Sequence, residues 1–99
     1  MPKFIRTHPL SYGTDAAVAT TGSKFTIPTA QRAKIARVNT SAAAYVGVGN
    51  ASSIPAASTS NAVYQASGTT DYMLDDNAPT YLYVYSTSST IAVFVSFLG

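Results

Sequence analysis

Short apolar stretches alternate with polar, turn-forming stretches along the whole chain. The apolar stretches are rich in Val, Ile, Phe, Tyr and Thr, which favour β-strands, and the stretches between them are mostly Ser, Thr, Gly, Asn and Pro. No segment repeats apolar residues at the i, i+3, i+4, i+7 spacing of an amphipathic helix over three turns. The pattern therefore predicts nine strands, at residues 4–7, 16–20, 25–27, 33–39, 43–48, 62–65, 72–74, 81–85 and 91–97.

These strands predict a single all-β domain over residues 1–99, folded as an antiparallel β-sandwich or a jelly-roll-like barrel. Residues that favour turns and breaks fall between the predicted strands. They are Pro9, Gly13, Gly22, Pro28, Gly49 with Asn50, Pro55, Gly68 and Pro79. Residues 51–60, rich in Ala, Ser and Thr, are predicted to form one long surface loop.

Two short connections predict antiparallel hairpins. Residues 39–42 join the strand at 33–39 to the next one, and residues 86–89 join the last two strands. Together with the other strands, these hairpins predict a compact meander with Greek-key potential.

The final predicted strand carries a clear alternation. One of its faces is wholly apolar, which predicts that it lies in the core. This face holds Ile91, Val93, Val95 and Phe97. The other face, with Ala92, Phe94, Ser96 and Leu98, is also largely apolar and predicts cover on both sides, from this chain or from another subunit.

The preceding strand presents three tyrosines on one face. Because Leu82 and Val84 are expected to face the core, Tyr81, Tyr83 and Tyr85 lie together on the opposite face, about 7 Å apart. Such a surface is rigid and amphipathic, and is typical of protein interfaces and of sugar-binding grooves. A cross-strand aromatic ladder that only stabilises the sheet explains the same pattern.

Charged residues make up only 10% of the chain, well below the roughly 25% of an average protein. A small monomer usually keeps itself soluble with mixed surface charge, so the deficit favours a surface that is covered by neighbours. A neutral secreted or cell-surface β-domain is the alternative. Cysteine is absent, so disulfides and thiolate metal sites are not available.

The charges are unevenly distributed along the chain. All six basic residues lie in the first 37 positions, with Asp15 as the one acidic residue, whereas residues 38–99 hold three aspartates and no basic residue. If the fold keeps these parts on different faces, one face attracts an acidic partner. The basic residues are Lys3, Arg6, Lys24, Arg32, Lys34 and Arg37.

Residues suited to catalysis are scarce. One histidine, four aspartates and no glutamate offer little for acid/base chemistry, and His8 has no G-x-S-x-G serine with which to build a triad. No glycine-rich phosphate loop occurs. Asp71, Asp75, Asp76 and Asn77 do not follow the EF-hand spacing, which favours a solvated loop over a metal site. We therefore expect no enzyme, no cofactor and no metal.

Membrane and nucleic-acid partners are also not expected. No segment approaches the roughly 20 apolar residues of a membrane span, and the basic start lacks the apolar run of a secretory signal peptide. Arg32, Lys34 and Arg37 could contact phosphates while Phe4 and Phe25 stack bases. Six basic residues are few, however, and Lys34 and Arg37 point to opposite faces of a regular strand.

One group of sequence features resembles a known family. The stretch ATTGSKFTIPTAQRAKIARVNTSAAAYVGVGNAS, a Ser/Ala/Thr loop and the ending TYLYVYSTSSTIAVFVSFLG resemble small β-sandwich virion structural proteins of tailed bacteriophages, most of all capsid decoration (cement) proteins. The shared motifs are T-x-P before a basic strand, V-N-T-x at a turn, V-G-x-G and a terminal hairpin. They cover about residues 18–99.

The resemblance implies a homo-oligomer, often a trimer, that is made in the host cytoplasm, lies on the capsid exterior and bridges major capsid proteins. Its basic segment would meet an acidic capsid surface, and residues 1–15 would form an arm or first strand against the partner. The predicted contacts are Lys3, Phe4, Ile5, Arg6, Lys24, Arg32, Lys34 and Arg37, with Tyr81, Tyr83 and Tyr85 as an oligomer or ligand interface. The alternatives are a receptor- or carbohydrate-binding module that uses these tyrosines, and a tail or head-completion component.

Overall fold

A computed structural model describes residues 9–74 and 79–99 of the chain. The elements within this part are β1 (Pro9–Val18), β2 (Ser23–Thr26), a 3₁₀ turn (Thr29–Gln31), β3 (Ile35–Thr40), β4 (Ala44–Gly49), β5 (Val63–Gln65), β6 (Gly68–Met73), β7 (Tyr81–Ser86) and β8 (Ile91–Leu98). No helix in the described part is long and apolar enough to cross a membrane. The strand predicted at residues 4–7 lies outside the described residues.

The strands form two antiparallel sheets that pack face to face. Sheet I has the order β1-β8-β3-β6, and sheet II has the order β2-β7-β4-β5. Successive strands lie in opposite sheets, except for β4 and β5, which pair with each other. This is the strand order of an eight-stranded jelly roll with two Greek keys, so the predicted antiparallel β-sandwich is confirmed.

Both predicted hairpins are wrong. Strand β3 pairs with β6 and β8, whereas β4 pairs with β5 and β7, so residues 41–43 cross from sheet I to sheet II. Residues 87–90 cross between the sheets in the same way, from β7 to β8. Three or four extended residues span the roughly 10 Å between packed sheets, so a short connection does not require its strands to pair. The predicted meander fails for the same reason.

The inner faces of the two sheets share one core. The residues of β7 and β8 that alternation predicts to point inward all lie in it, and none is more than 5% exposed. They are Ile91, Val93, Val95 and Phe97 from sheet I, and Leu82 and Val84 from sheet II. Burial contributes about 1.5–3 kcal/mol for each large apolar side chain, which makes this core the main force that holds the sheets together.

Strand β1 differs most from the sequence prediction. Pro9 and Gly13, expected to interrupt strands, both lie within β1, which pairs with β8. Pro9 is tolerated because it begins an edge strand. Gly13 is required because Phe25 packs against it, and a Cβ there would lie 2.6 Å from the Phe25 Cδ1. Residues 9–15 therefore belong to an edge strand of this domain, which agrees with the first-strand form of the prediction for residues 1–15 and not with the arm form.

Candidate binding surfaces

The three tyrosines of β7 share the outer face of sheet II, as alternation predicts, but two of them are buried. Tyr83 and Tyr85 are 2% and 1% exposed. Residues 50–62 lie over them and accept their hydrogen bonds. The Tyr83 hydroxyl donates to the carbonyl of Ala51 at 2.5 Å, and the Tyr85 hydroxyl donates to the carbonyl of Pro55 at 2.7 Å. Burial raises the pKa of Tyr85 above its usual value. The predicted exposed interface is therefore wrong for these two tyrosines.

Two glycines of β4 allow residues 50–62 to lie so close to the sheet. A Cβ at Gly47 would lie 2.3 Å from the carbonyl oxygen of Asn61, and a Cβ at Gly49 would lie 3.0 Å from the Tyr83 ring. The first contact is with backbone, which cannot turn aside as a side chain can. The V-G-x-G motif is thus explained by close packing, as expected of glycines within a strand. The predicted long loop at residues 51–60 is confirmed, and it covers the tyrosines.

Lys24 and the partly buried Tyr81 form the open border of this covered region. The Lys24 Nζ lies 4.6 Å from the centre of the Tyr81 ring and donates to the carbonyl of Ser52 at 2.9 Å. A cation over an aromatic ring at an exposed site contributes about 0.5–1 kcal/mol. Lys24 therefore ties residues 50–62 to β2 and is already engaged within the chain.

Arg37 lies on the outer face of sheet I and binds Asp71 of the neighbouring strand. Its Nε and Nη2 donate to the two carboxylate oxygens at 2.8 and 3.0 Å. These hydrogen bonds lower the pKa of Asp71 and raise that of Arg37. The pair joins the basic part of the sequence to the acidic part. The hypothesis that the fold separates the two parts on different faces is wrong for these residues.

Arg32 and Lys34 lie together at one end of the sandwich, which we call the basic end. Both are exposed. Arg32 has a left-handed conformation with φ of 56°, and its N–H donates to the carbonyl of Thr29 at 3.0 Å. The N–H of Lys34 donates to Leu98, and its carbonyl accepts from Leu74, both at 2.7 Å. Hydrogen bonds thus fix the backbone that carries each cation.

The beginning of the described chain lies at the same end, because Pro9 is opposite Leu98 in sheet I. The predicted contacts at Lys3, Phe4, Ile5 and Arg6, together with His8, Asp75, Asp76 and Asn77, lie outside the described residues. Of the other predicted basic contacts, the structure brings Arg32 and Lys34 together and places Lys24 and Arg37 elsewhere. Phe25 is 7% exposed, so it has no free ring face on which a nucleic-acid base could stack.

Two aromatic rings that were not predicted as a site are exposed on the outer face of sheet I, and we call this pair the aromatic face. Tyr12 is 73% and Phe94 44% exposed. Their rings stack with centres 5.6 Å apart and planes inclined by 10°. The alternation of β8 places Phe94 on this side. Tyr12 was missed because Pro9 and Gly13 conceal the strand to which it belongs.

No family model matches the chain, and no curated protein or solved structure matches it. The fold itself places the protein in the class of small two-sheet jelly rolls. Within residues 9–74 and 79–99, no three His, Cys, Asp or Glu side chains lie together as a metal site would require. A function is therefore argued from two of the exposed surfaces, the basic end and the aromatic face.

Proposed function

We propose that this protein is a non-enzymatic structural component of a tailed-phage virion, which decorates the capsid exterior and stabilises the shell by bridging major capsid proteins. The basic end is the observation that carries the proposal, because it offers two exposed cations on a fixed backbone at the end where the described chain begins. The resemblance over residues 18–99 supports the identity of the partner.

The fixed backbone of the basic end favours binding. Arg32 is held by the 3₁₀ turn and Lys34 by strands on both sides, so docking would immobilise little besides the two side chains. Ordering a flexible side chain costs about 0.5–1.5 kcal/mol, and ordering a loop costs more. Two preorganised cations are suited to an acidic partner surface.

The opposite end of the sandwich is chemically different. Its connections, at residues 19–22, 41–43, 66–67 and 87–90, contain only Ala, Ser, Thr and Gly. Within residues 9–74 and 79–99, Arg37 is neutralised by Asp71, so the cations there with no carboxylate partner are Lys24, Arg32 and Lys34, and the last two lie at the basic end. A homotrimer would present three such ends to a shell, so that modest contacts add up through multivalency.

The proposal is tested with capsids that lack the protein. We expect recombinant protein to be oligomeric, to bind these capsids and to raise their resistance to heat. The double variant Arg32→Gln, Lys34→Gln should bind about tenfold more weakly, and its binding should depend less on salt, which screens charges beyond about 10 Å at 0.1 M. A monomer that ignores such capsids would overturn the proposal.

A charge-matched control is available. The double variant Lys24→Gln, Arg37→Gln removes the same number of cations from positions that are already paired with Tyr81 and Asp71. It should bind capsids within about threefold of the natural protein, because it changes the net charge but not the basic end. Equal losses for the two double variants would show that net charge, and not this end, governs docking.

The copy number in purified particles separates decoration from the tail or head-completion alternative. A decoration protein should be present in an amount comparable with that of the major capsid protein. A connector or tail component should be present in far fewer copies. Quantitative protein staining of gradient-purified particles measures this ratio directly.

A further inference from the structure

A depression of about 260 Å³ lies beside Phe94 on the outer face of sheet I. Phe94 forms one wall, and the polar side chains of Thr14, Asn39 and Ser41 line the rest together with small apolar groups and the backbone of Asp15. Its volume is slightly below the roughly 300–1,000 Å³ of most small-molecule sites, which suits a ligand of one or two sugar rings. The depression thus combines an exposed aromatic ring with polar groups from β1, β3 and the connection that follows β3.

The polar side chains supply both donors and acceptors. The Asn39 Nδ2 donates to the Thr69 hydroxyl at 2.7 Å, while the Asn39 Oδ1 makes no hydrogen bond to any described residue. The Ser41 hydroxyl accepts the N–H of Ala92 at 2.9 Å and keeps its own proton to donate. The exposed Thr14 hydroxyl can both donate and accept. An uncharged ligand with hydroxyl groups would be complementary to this set.

Among the described residues, Asp15 is the one charged residue at the depression, and its side chain points toward β2. One of its carboxylate oxygens accepts the N–H of Ala17 at 3.0 Å, and the other accepts the Ser23 hydroxyl at 2.5 Å. These hydrogen bonds lower the pKa of Asp15, so the carboxylate is ionised at neutral pH. This negative charge lies close behind the depression, so an anionic ligand would be repelled.

The other described charges of this face pair with each other and offer no match for a cationic or anionic ligand. Arg37 lies on the same side of sheet I and donates two hydrogen bonds to the carboxylate of Asp71. Among the described residues no three carboxylate or imidazole groups lie together to hold a metal ion. The face is thus close to neutral, and its distinguishing features are an aromatic ring and uncharged hydrogen-bonding groups.

We propose that the depression beside Phe94 is a binding site for a neutral saccharide, with the Phe94 ring against an apolar face of the sugar and Asn39, Ser41 and Thr14 binding its hydroxyl groups. Sugar rings have an apolar face of C–H groups and a rim of hydroxyl groups, which matches this combination. The site is distinct from the basic end, because Asn39 lies five residues along β3 from Lys34, roughly 17 Å away.

Titration of the isotope-labelled full chain, followed by the backbone amide signals, tests this site. The probes are glucose, galactose, mannose and N-acetylglucosamine, and the oligomers maltotriose and chitotriose. At least one neutral sugar should shift the amide signals of Asn39, Ser41 and Phe94 saturably. Glucuronate should bind at least about threefold more weakly than glucose, because Asp15 repels its carboxylate. Tighter binding of an oligomer would indicate the inner residues of a glycan chain, and equal binding would indicate a free sugar.

Matched variants locate the binding. Phe94→Ala should weaken it at least about tenfold, and Asn39→Ala about fivefold, since each removes a wall or a polar contact from an exposed position. Tyr64→Ala removes another exposed tyrosine, from sheet II, and should leave the affinity unchanged. The proposal is overturned if no probe causes saturable shifts, or if the shifts cluster around Tyr64. It is also overturned if Phe94→Ala changes only self-association or capsid binding, which would identify the face as a protein interface.

Discussion

The outer faces of the two sheets carry similar residues but differ in cover. On sheet II, Tyr83 and Tyr85 lie beneath residues 50–62 and are almost fully buried. On sheet I, Tyr12 and Phe94 are exposed and stack on each other. Both pairs point away from the core because of the same alternation along a strand. The difference therefore comes from one long connection, which crosses sheet II only.

This comparison separates two roles that aromatic residues have in a small sandwich. The buried tyrosines extend the hydrophobic packing beyond the core, and their hydroxyl groups bind the backbone of the loop that covers them. The exposed pair of the aromatic face stacks without a covering segment among the described residues, so we expect it to contribute less to folding. Substitution of one member from each pair should therefore affect different properties of the protein.

The largest effect is expected for Tyr85→Ala. Removal of this buried ring leaves a cavity beneath residues 50–62 and should lower the free energy of unfolding by about 3–5 kcal/mol. Tyr12→Ala, at a position that is 73% exposed, should lower it by less than about 1 kcal/mol. Urea denaturation of both variants measures the difference. Similar losses of unfolding free energy at the two positions would contradict the conclusion that the loop covers the tyrosines of sheet II and leaves Tyr12 exposed.

The sequence alone predicts which side chains of these strands face the core, but it does not predict which outer face is covered by a loop. Leu82, Val84 and the inward residues of β8 lie where alternation predicts, because a one-residue change of register would expose all of them. Alternation carries no information on what crosses the outer face. Whether residues 50–62 fold back over β7 depends on contacts between distant segments, such as Gly47 with Asn61.

Strand pairing and the grouping of binding residues were only partly predictable, because both also depend on contacts between distant segments. A short connection such as residues 41–43 is compatible with a hairpin and with a crossing between sheets, so local sequence cannot distinguish them. In the same way, the basic residues form one group along the chain, but of those that the structure describes only Arg32 and Lys34 lie together. Arg37 instead meets Asp71, which lies 34 positions further along the sequence.

The next largest effect is expected for Gly47→Ala, which tests how closely residues 50–62 lie on sheet II. The added Cβ would lie 2.3 Å from the Asn61 carbonyl oxygen, so the loop must move, at a cost of about 1–3 kcal/mol. Gly49→Ala is the matched control, since its Cβ would meet the edge of the Tyr83 ring at 3.0 Å. Gly47→Ala should lose more stability and expose the loop to proteases faster. The reverse order would show that the loop is held less closely than this geometry requires.

A smaller loss of stability is expected from a substitution in the buried polar network that joins the two sheets. Gln65 of sheet II is 3% exposed, and its Nε2 donates to the carbonyl of Val38 in sheet I at 2.9 Å. Its Oε1 accepts the Tyr72 hydroxyl at 2.8 Å. Tyr72→Phe leaves that oxygen without this donor and should cost about 1–2 kcal/mol in thermal or urea unfolding. Tyr64→Phe, at an exposed position, should change stability by no more than about 0.5 kcal/mol. No difference between the two variants would mean that water replaces the Tyr72 hydroxyl.

The smallest effect concerns the two aspartates of sheet I, whose pKa values the fold lowers. The Ser23 hydroxyl and then the Ala17 N–H lower that of Asp15, and Arg37 lowers that of Asp71. A carboxylate whose pKa is lower in the folded state stabilises the fold above its unfolded pKa of about 3.9, and this stability is lost as the pH falls through the folded value. The urea midpoint should therefore decrease between about pH 5 and pH 2. Asp15→Asn should start from a slightly lower midpoint at pH 6 and decrease less on acidification. Because Asp15 bonds to Ser23 of β2, an unchanged acid profile in this variant would mean that the hydrogen bond between the sheets adds no stability.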